Sequence, residues 1–313
     1  MKSPNQSKFT ISKEFLNMQT DNTPAKFQHT RRHFLQWAGA GAAASLTAAG
    51  SSFAQAAAAK DQPSEGRAAG PARLQLAVAS YTFRDFPLEQ VLAMTARLDI
   101  KHICLKSMHL PLDATPQQIV EAVAKVKKAG IDLYGGGVIA MKKQADVSQA
   151  FDYAKAAGMR VIVGSPAHEM LPLVNEKVQQ YDIRVAIHNH GPGDKVFPTP
   201  ESVYEKVKDL DQRIGLCIDI GHTLRIGADP VRSAQQYADR LLDVHIKDVS
   251  AASPAGKTVE IGRGVIDIPG FLRTLIQINY RGIVSFEHEK DAKDPLAGLA
   301  ESVGYVRGVL AVI

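Results

Sequence analysis

The chain has 313 residues, 45% of them hydrophobic and 22% charged, with a formal net charge of +5. That length holds one large α/β domain or two small ones. Residues 1–56 carry six of the 37 Lys/Arg and two of the 32 Asp/Glu; the 31 basic and 30 acidic residues that remain give a net of +1, which removes any case for nucleic acid as a partner.

The first element is a targeting signal. Thr30-Arg31-Arg32-His33-Phe34-Leu35 is a twin-arginine signature, and an apolar, Ala/Gly-rich run follows from Trp37 to about Phe53. Ala54-Gln55-Ala56 then offers an A-x-A cleavage site. The run is too short and too rich in Ala and Gly for a membrane anchor. Residues 1–56 therefore read as a twin-arginine signal peptide, which predicts export to the periplasm through the Tat export machinery and no stable membrane span after processing. The stretch before Arg31 is long and polar for such a signal, so Met18 is an alternative start. Residues 57–73, rich in Ala, Gly, Pro, Ser and charge, read as a flexible linker.

From Leu74 onward strand-like and helix-like patterns alternate. Strands are predicted at Leu74–Ser80, His102–Ser107, Ile131–Gly135, Arg160–Gly164, Ile183–His190, Ile214–Asp219, Leu242–Lys247 and Ile283–Glu289. The clearest helix runs from Pro116 to Ala129, with Thr115 as N-cap, Gln118 completing a capping box and Gly130 ending it. Thr199-Pro200 and Ile268-Pro269 open two more, and Ala157-Gly158 closes another. Eight βα units over residues 74–313 predict a (β/α)8 TIM barrel. A doubly wound open sheet is the rival, but no Gly-rich dinucleotide fingerprint follows the first strand. No P-loop is present either, and Gly135-Gly136-Gly137 reads as a tight turn. The two cysteines, Cys104 and Cys217, fall inside predicted strands and read as buried small hydrophobes, and the absence of a disulfide framework is compatible with folding before export.

Four strands share one design. Alternate residues of a strand face the same way. Val185/Ile187, Leu216/Ile218, Val244/Ile246 and Val284/Phe286 fall on one face, while His188, Asp219, His245 and Glu287 fall on the other. Each polar residue comes at the end of its strand, where barrel active sites lie. Seven of the eight histidines beyond residue 56 also lie late in a strand or soon after one: His109, His168, His188, His190, His222, His245 and His288. One such histidine is unremarkable; seven point to a site.

The runs Ile218-Asp219-Ile220-Gly221-His222, His245-Ile246-Lys247-Asp248, Ile261-Gly262-Arg263-Gly264-Val265-Ile266-Asp267 and Ser285-Phe286-Glu287, in that order, resemble the xylose isomerase-like TIM-barrel family. The resemblance covers residue 74 to the C-terminus. Members include sugar and sugar-phosphate isomerases and epimerases, inosose dehydratases and endonuclease IV. It implies one divalent metal ion (Mn, Co, Zn or Mg) held by His188, Asp219, His245 and Glu287. The epimerases have a Glu where this chain has His188, and they use that Glu with the eighth-strand Glu as an acid/base pair; here half of the pair is missing.

Two imidazoles and two carboxylates suit a borderline ion better than Ca²⁺. Such an ion stabilises an enediolate as a proton leaves carbon, and Glu287, Glu289 or His190 are the candidate bases. His222 is expected to face substrate or to orient Asp219. Lys106 and Lys247 are expected to balance an oxyanion or to form structural ion pairs. Arg84 and His109 complete the expected substrate contacts. The resulting expectation is an exported, metal-dependent isomerase or epimerase that abstracts a proton next to the carbonyl of a sugar or polyol. A keto-sugar lyase or hydratase, which needs one base only, and a non-catalytic periplasmic sugar-binding barrel are the alternatives. A periplasmic location argues against a phosphorylated substrate, and an endonuclease would need more metal ligands and a basic surface.

Overall fold

In eight places the alternation of apolar residues is realised as a strand with both faces covered. In a computed structural model, which describes residues 74–313, these are β1 (Gln75–Ala79), β2 (His102–Leu105), β3 (Asp132–Met141), β4 (Val161–Pro166), β5 (Arg184–His188), β6 (Ile214–Asp219), β7 (Leu241–Ile246) and β8 (Ile283–Phe286). Neighbours in the chain pair in parallel, and β1 pairs with both β2 and β8, so the sheet closes into a barrel. The expected signal segment 1–56 and linker 57–73 lie outside the described residues.

The helices are α1 (Leu88–Arg97), α2 (Pro116–Lys128), α3 (Gln144–Ala156), α4 (Leu171–Tyr181), α5 (Pro200–Val207), α6 (Ile220–Arg225), α7 (Pro230–Gln236), α8 (Ile268–Gln277) and α9 (Leu296–Leu310). The capping box on α2 forms: Thr115 Oγ1 accepts from the Gln118 amide and the Gln118 side chain accepts from the Thr115 amide. Gly130 and Gly158, just past α2 and α3, adopt positive φ, as helix-ending glycines do. After β7 a two-stranded antiparallel ribbon, Asp248–Val249 with Thr258–Val259, extends the seventh loop.

Two apolar layers follow from the alternation. Val185, Ile187, Leu216, Ile218, Val244, Ile246, Val284 and Phe286 join the large core between strands and helices. Ala77, Cys104, Tyr134, Val163, Ala186 and Cys217 form a separate cluster, which fills the barrel. The barrel lining is made mostly of small residues. Both cysteines are free and buried.

Most strand ends shift by a few residues from expectation, and two of these shifts and one turn bear on the site. β5 stops at His188 and β8 at Phe286, so His190, Glu287 and Glu289 stand on the loops that leave the strands. Gly135-Gly136-Gly137 is not a turn: β3 continues through it to Met141. The glycines let β3 press against β4, since a Cβ on Gly137 would collide with the Val163 carbonyl. The β3–β4 register slips between Gly137 and Ile139, leaving Val138 out of the ladder as a bulge.

Candidate metal centre

Asp219 is the hinge of the site. It ends β6 and serves as N-cap of α6, where its Oδ1 accepts the His222 amide at 2.8 Å. The same carboxyl therefore has one oxygen fixed by the helix and Oδ2 left to face the barrel mouth. Asn189 steadies it from just past β5, accepting the Asp219 amide at 3.0 Å while donating to Thr223, whose hydroxyl donates to the Asp219 carbonyl.

Around this point His188, Asp219, His245 and Glu287 each offer a ligand atom, and these atoms all lie within 4.8 Å of one another. His188 Nε2 is 3.3 Å from Asp219 Oδ2, and His245 Nδ1 is 3.3 Å from Glu287 Oε2. All four residues are buried. Both ring nitrogens of His188 and of His245 lack a hydrogen-bond partner, as does Asp219 Oδ2. Buried polar atoms are normally satisfied, so four imidazole nitrogens without a hydrogen-bond partner around one point are the kind of arrangement a ligand would complete.

Lys247 shares the carboxylates. Its ammonium donates to Glu287 Oε2 at 2.6 Å and to Glu289 Oε1. It also lies 2.8 Å from Asp219 Oδ2 and pairs with its charge. The stem of Lys247 crosses Gly221, where any side chain would collide with it. One ammonium faces three carboxylates, and the excess negative charge favours a further cation.

The electrostatics follow. Burial pushes the His188 imidazole down to about 3, so the ring is neutral and its lone pair is free for a metal. Burial is the largest influence on His245 and acts to lower it, but Glu287, Asp243 and Asp219 together raise the ring above its ordinary value. For Asp219 and Glu287 burial is the largest influence and acts upward, yet Lys247 together with the neighbouring imidazoles, His222 and His188 on Asp219 and His245 and His188 on Glu287, holds both carboxyls below the usual range. Burial disfavours the Lys247 ammonium, while Asp219, Glu287 and Glu289 raise it well above normal. Neutral imidazole, ionised carboxylates and charge deficit fit a borderline divalent ion.

Four of the seven strand-end histidines converge. The His188 ring centroid lies 4.5 Å from that of His190, 4.8 Å from His245 and 5.9 Å from His222. His190, one-third exposed, has Nδ1 3.5 Å from Asp194, and burial lowers its pKa. His222 Nδ1 is buried and unpartnered. Lys106 is half-buried, donates to the Val138 carbonyl at 2.9 Å and lies 5.8 Å from the Tyr81 ring; burial lowers its pKa.

Three expected substrate contacts are otherwise engaged. His109 is buried, with Nδ1 at 2.8 Å from Ser80 Oγ and Nε2 against the Phe83 and Phe86 carbonyls, so neither nitrogen is left for substrate. Arg84 donates to the carbonyls of Glu289 and Tyr81 and ties the first loop to the eighth. Lys247 is the buried counter-ion described above and not a free cation. His168 contacts the Val196 carbonyl, and His288 lies buried near Gly298 and Glu260.

Sequence reading also passed over two organisers. Asn189 is one; its place between two histidines was the available signal. The other is buried Asp248, whose carboxylate accepts from the amides of Val249, Gly262, Gly264 and Ile266 and so shapes the glycine-rich seventh loop. A carboxylate followed by a Gly-x-Gly run was its signal.

A family model described as xylose isomerase-like TIM barrel matches residues 72–309, and a twin-arginine translocation signal model matches residues 28–48. Among curated relatives, the rhizopine catabolism protein MocC of Rhizobium meliloti is 29% identical over 131 residues, 37% of this chain and 40% of that protein. An inosose dehydratase of Geobacillus kaustophilus is 30% identical over 129 residues, 36% of this chain and 41% of that enzyme. The matched part thus spans about two fifths of the curated relatives' length. Among solved structures, an L-ribulose 3-epimerase superposes with TM-score 0.62 at 16% identity, over 76% of this chain and 95% of that one. The 3-keto-D-glucoside 4-epimerase YcjR of E. coli gives 0.61 at 14%, over 75% and 100%. At those identities the likeness is one of fold. Among the described residues no helix is long and apolar enough to cross a membrane.

Proposed function

Because the chain belongs to the xylose isomerase-like TIM-barrel family, we propose that it is a divalent-metal-dependent enzyme that abstracts a proton next to the carbonyl of a sugar or polyol, as an isomerase or epimerase. The observation that carries this reading is the group of four ligand-type side chains at one end of adjacent strands, buried, with orphaned imidazole nitrogens. His188, Asp219, His245 and Glu287 would hold the ion. When bound, it would polarise the substrate's carbonyl and lower the cost of the enediolate.

The remaining steps belong to the protein's own groups. Glu287 sits against the Lys247 ammonium, and its low proton affinity suits ligation better than proton abstraction. His190 stands at the mouth, partly exposed, beside Asp194, and is the better base. His222 and Lys106 supply donors to substrate oxygens, Lys106 being held toward the mouth by the Val138 carbonyl. One observation favours a second reading. With His188 in place of a carboxylate, only one face of the substrate meets an evident base, and a keto-sugar lyase or hydratase needs no more than that. Export by the twin-arginine route would place the reaction in the periplasm.

Incubation of metal-loaded protein with candidate sugars in D₂O, followed by NMR, tests the proposal. Deuterium on a carbon beside the carbonyl supports it; an epimer or isomer identifies the first reading and loss of water the second. Ligand binding without exchange for any sugar that binds would leave a non-catalytic sugar-binding barrel.

A further inference from the structure

The metal centre has a second floor. Cys217 lies two residues before Asp219 on the same face of β6, one layer deeper in the barrel. Its Sγ forms a group with ligand atoms of His188 and His245 in which all lie within 4.8 Å of one another. The thiol does not belong to the four-residue group with Asp219 and Glu287. An ion that takes the thiol therefore gives up the carboxylates. The two donor sets share the imidazoles and differ in hardness: two oxygens above, one sulfur below.

The surroundings support a site and not a chance neighbour. His188 is 2% exposed and His245 1%, and neither ring has a hydrogen-bond partner on either nitrogen. Cys217 is fully buried and not disulfide-bonded, and its one hydrogen-bond contact among the described residues is a long one, 3.9 Å, to Asp243 Oδ1. Thiolate and imidazole select thiophilic ions, whereas carboxylates suit Mg²⁺ and Mn²⁺.

We propose that His188, Cys217 and His245 form a second, softer cation site that competes with the first and takes thiophilic divalent ions such as Cd²⁺ or Zn²⁺. Uptake breaks the S–H bond, forms a metal–sulfur bond and releases one proton to the buffer. The protein would then be partitioned between an upper, oxygen-rich occupancy and a lower, sulfur-bound one that displaces it. The inference needs the donor groups only and is independent of which reaction the enzyme performs.

The test uses Cd²⁺ added to the full, metal-free chain. A Cys104→Ser variant leaves Cys217 as the single cysteine of the chain. In it, Cd²⁺ is expected to produce a thiolate-to-metal charge-transfer band in the ultraviolet, and X-ray absorption at the cadmium edge should show one sulfur neighbour. Cys217→Ser in the otherwise native chain should lose the band while Mn²⁺ binding, followed by electron paramagnetic resonance, persists. Tightly bound Cd²⁺ with neither band nor sulfur neighbour in Cys104→Ser overturns the proposal, and so does a band that survives in Cys217→Ser. Loss of Mn²⁺ binding in the native chain would strike the proposed function instead. If Cys217→Ser does not fold, the single-cysteine variant decides alone.

Discussion

Replacing Lys247 by Met removes the buried ammonium and keeps the length of the stem that lies across Gly221. Asp219 and Glu287, both buried, are then left facing each other and Glu289 without their counter-ion. Breaking a buried ion pair by removing one partner costs about 3–5 kcal/mol, because the stranded charge remains desolvated. At about 2–4 °C per kcal/mol for a domain of this size, the melting temperature in chelator should fall by about 6–20 °C. A divalent ion at about 100 times its Kd restores about 2.7 kcal/mol, and it should bind the variant more tightly than the parent, since it no longer shares the carboxylates. Thermal melts followed by circular dichroism, with chelator and with Mn²⁺, measure both effects. A variant that melts within about 2 °C of the parent in chelator, or one that Mn²⁺ stabilises less than it does the parent, would refute the account of Lys247 as a resident cation sharing the metal's ligands.

Glu287→Gln should abolish carbon–deuterium exchange and weaken Mn²⁺ binding together, since under the proposal the residue would hold the ion as well as pairing with Lys247; full exchange in this variant would remove Glu287 from the site. His190→Ala should stop exchange while Mn²⁺ affinity stays unchanged, and exchange that survives with only weaker sugar binding would move the base elsewhere. In chelator, the neutral state of His188 sets a pH slope: its folded pKa of about 3 lies below the ordinary 6.5, so the unfolded chain gains a proton first and stability falls as pH drops from about 6.5 toward 3. His188→Gln should flatten that slope in urea titrations at a series of pH values; an unchanged slope would assign it to other groups. Changing Arg31 and Arg32 to Lys should leave the precursor in the cytoplasm, as fractionation would show, whereas normal processing would point to the general secretory route.

The barrel and its four ligand-type positions were legible because both rest on local alternation: His188, Asp219 and His245 need only the period of a strand to be placed inward. Strand ends were less legible. His190 looks like part of β5, but Asn189 turns its side chain to Asp219 and Thr223, and the strand stops at His188. The fates of Lys247, Arg84 and His109 depend on partners 40, 205 and 29 residues away, and nothing in their own neighbourhoods announces them. The glycine triplet misled for another reason: glycine serves both a turn and a close approach of two strands, and only the position of Val163 tells which.

The bulge after Gly137 has a bearing on how this barrel mouth would look to mutagenesis. Lys106 is aimed by the Val138 carbonyl, an atom common to every amino acid, and that carbonyl is turned out of the ladder by a run of residues with no side chains of their own. A scan that trims side chains one at a time would find Lys106 and report nothing holding it. The aim of the amine is written into strand spacing, and a methyl group added at Gly137, where it would collide with the Val163 carbonyl, should disturb it.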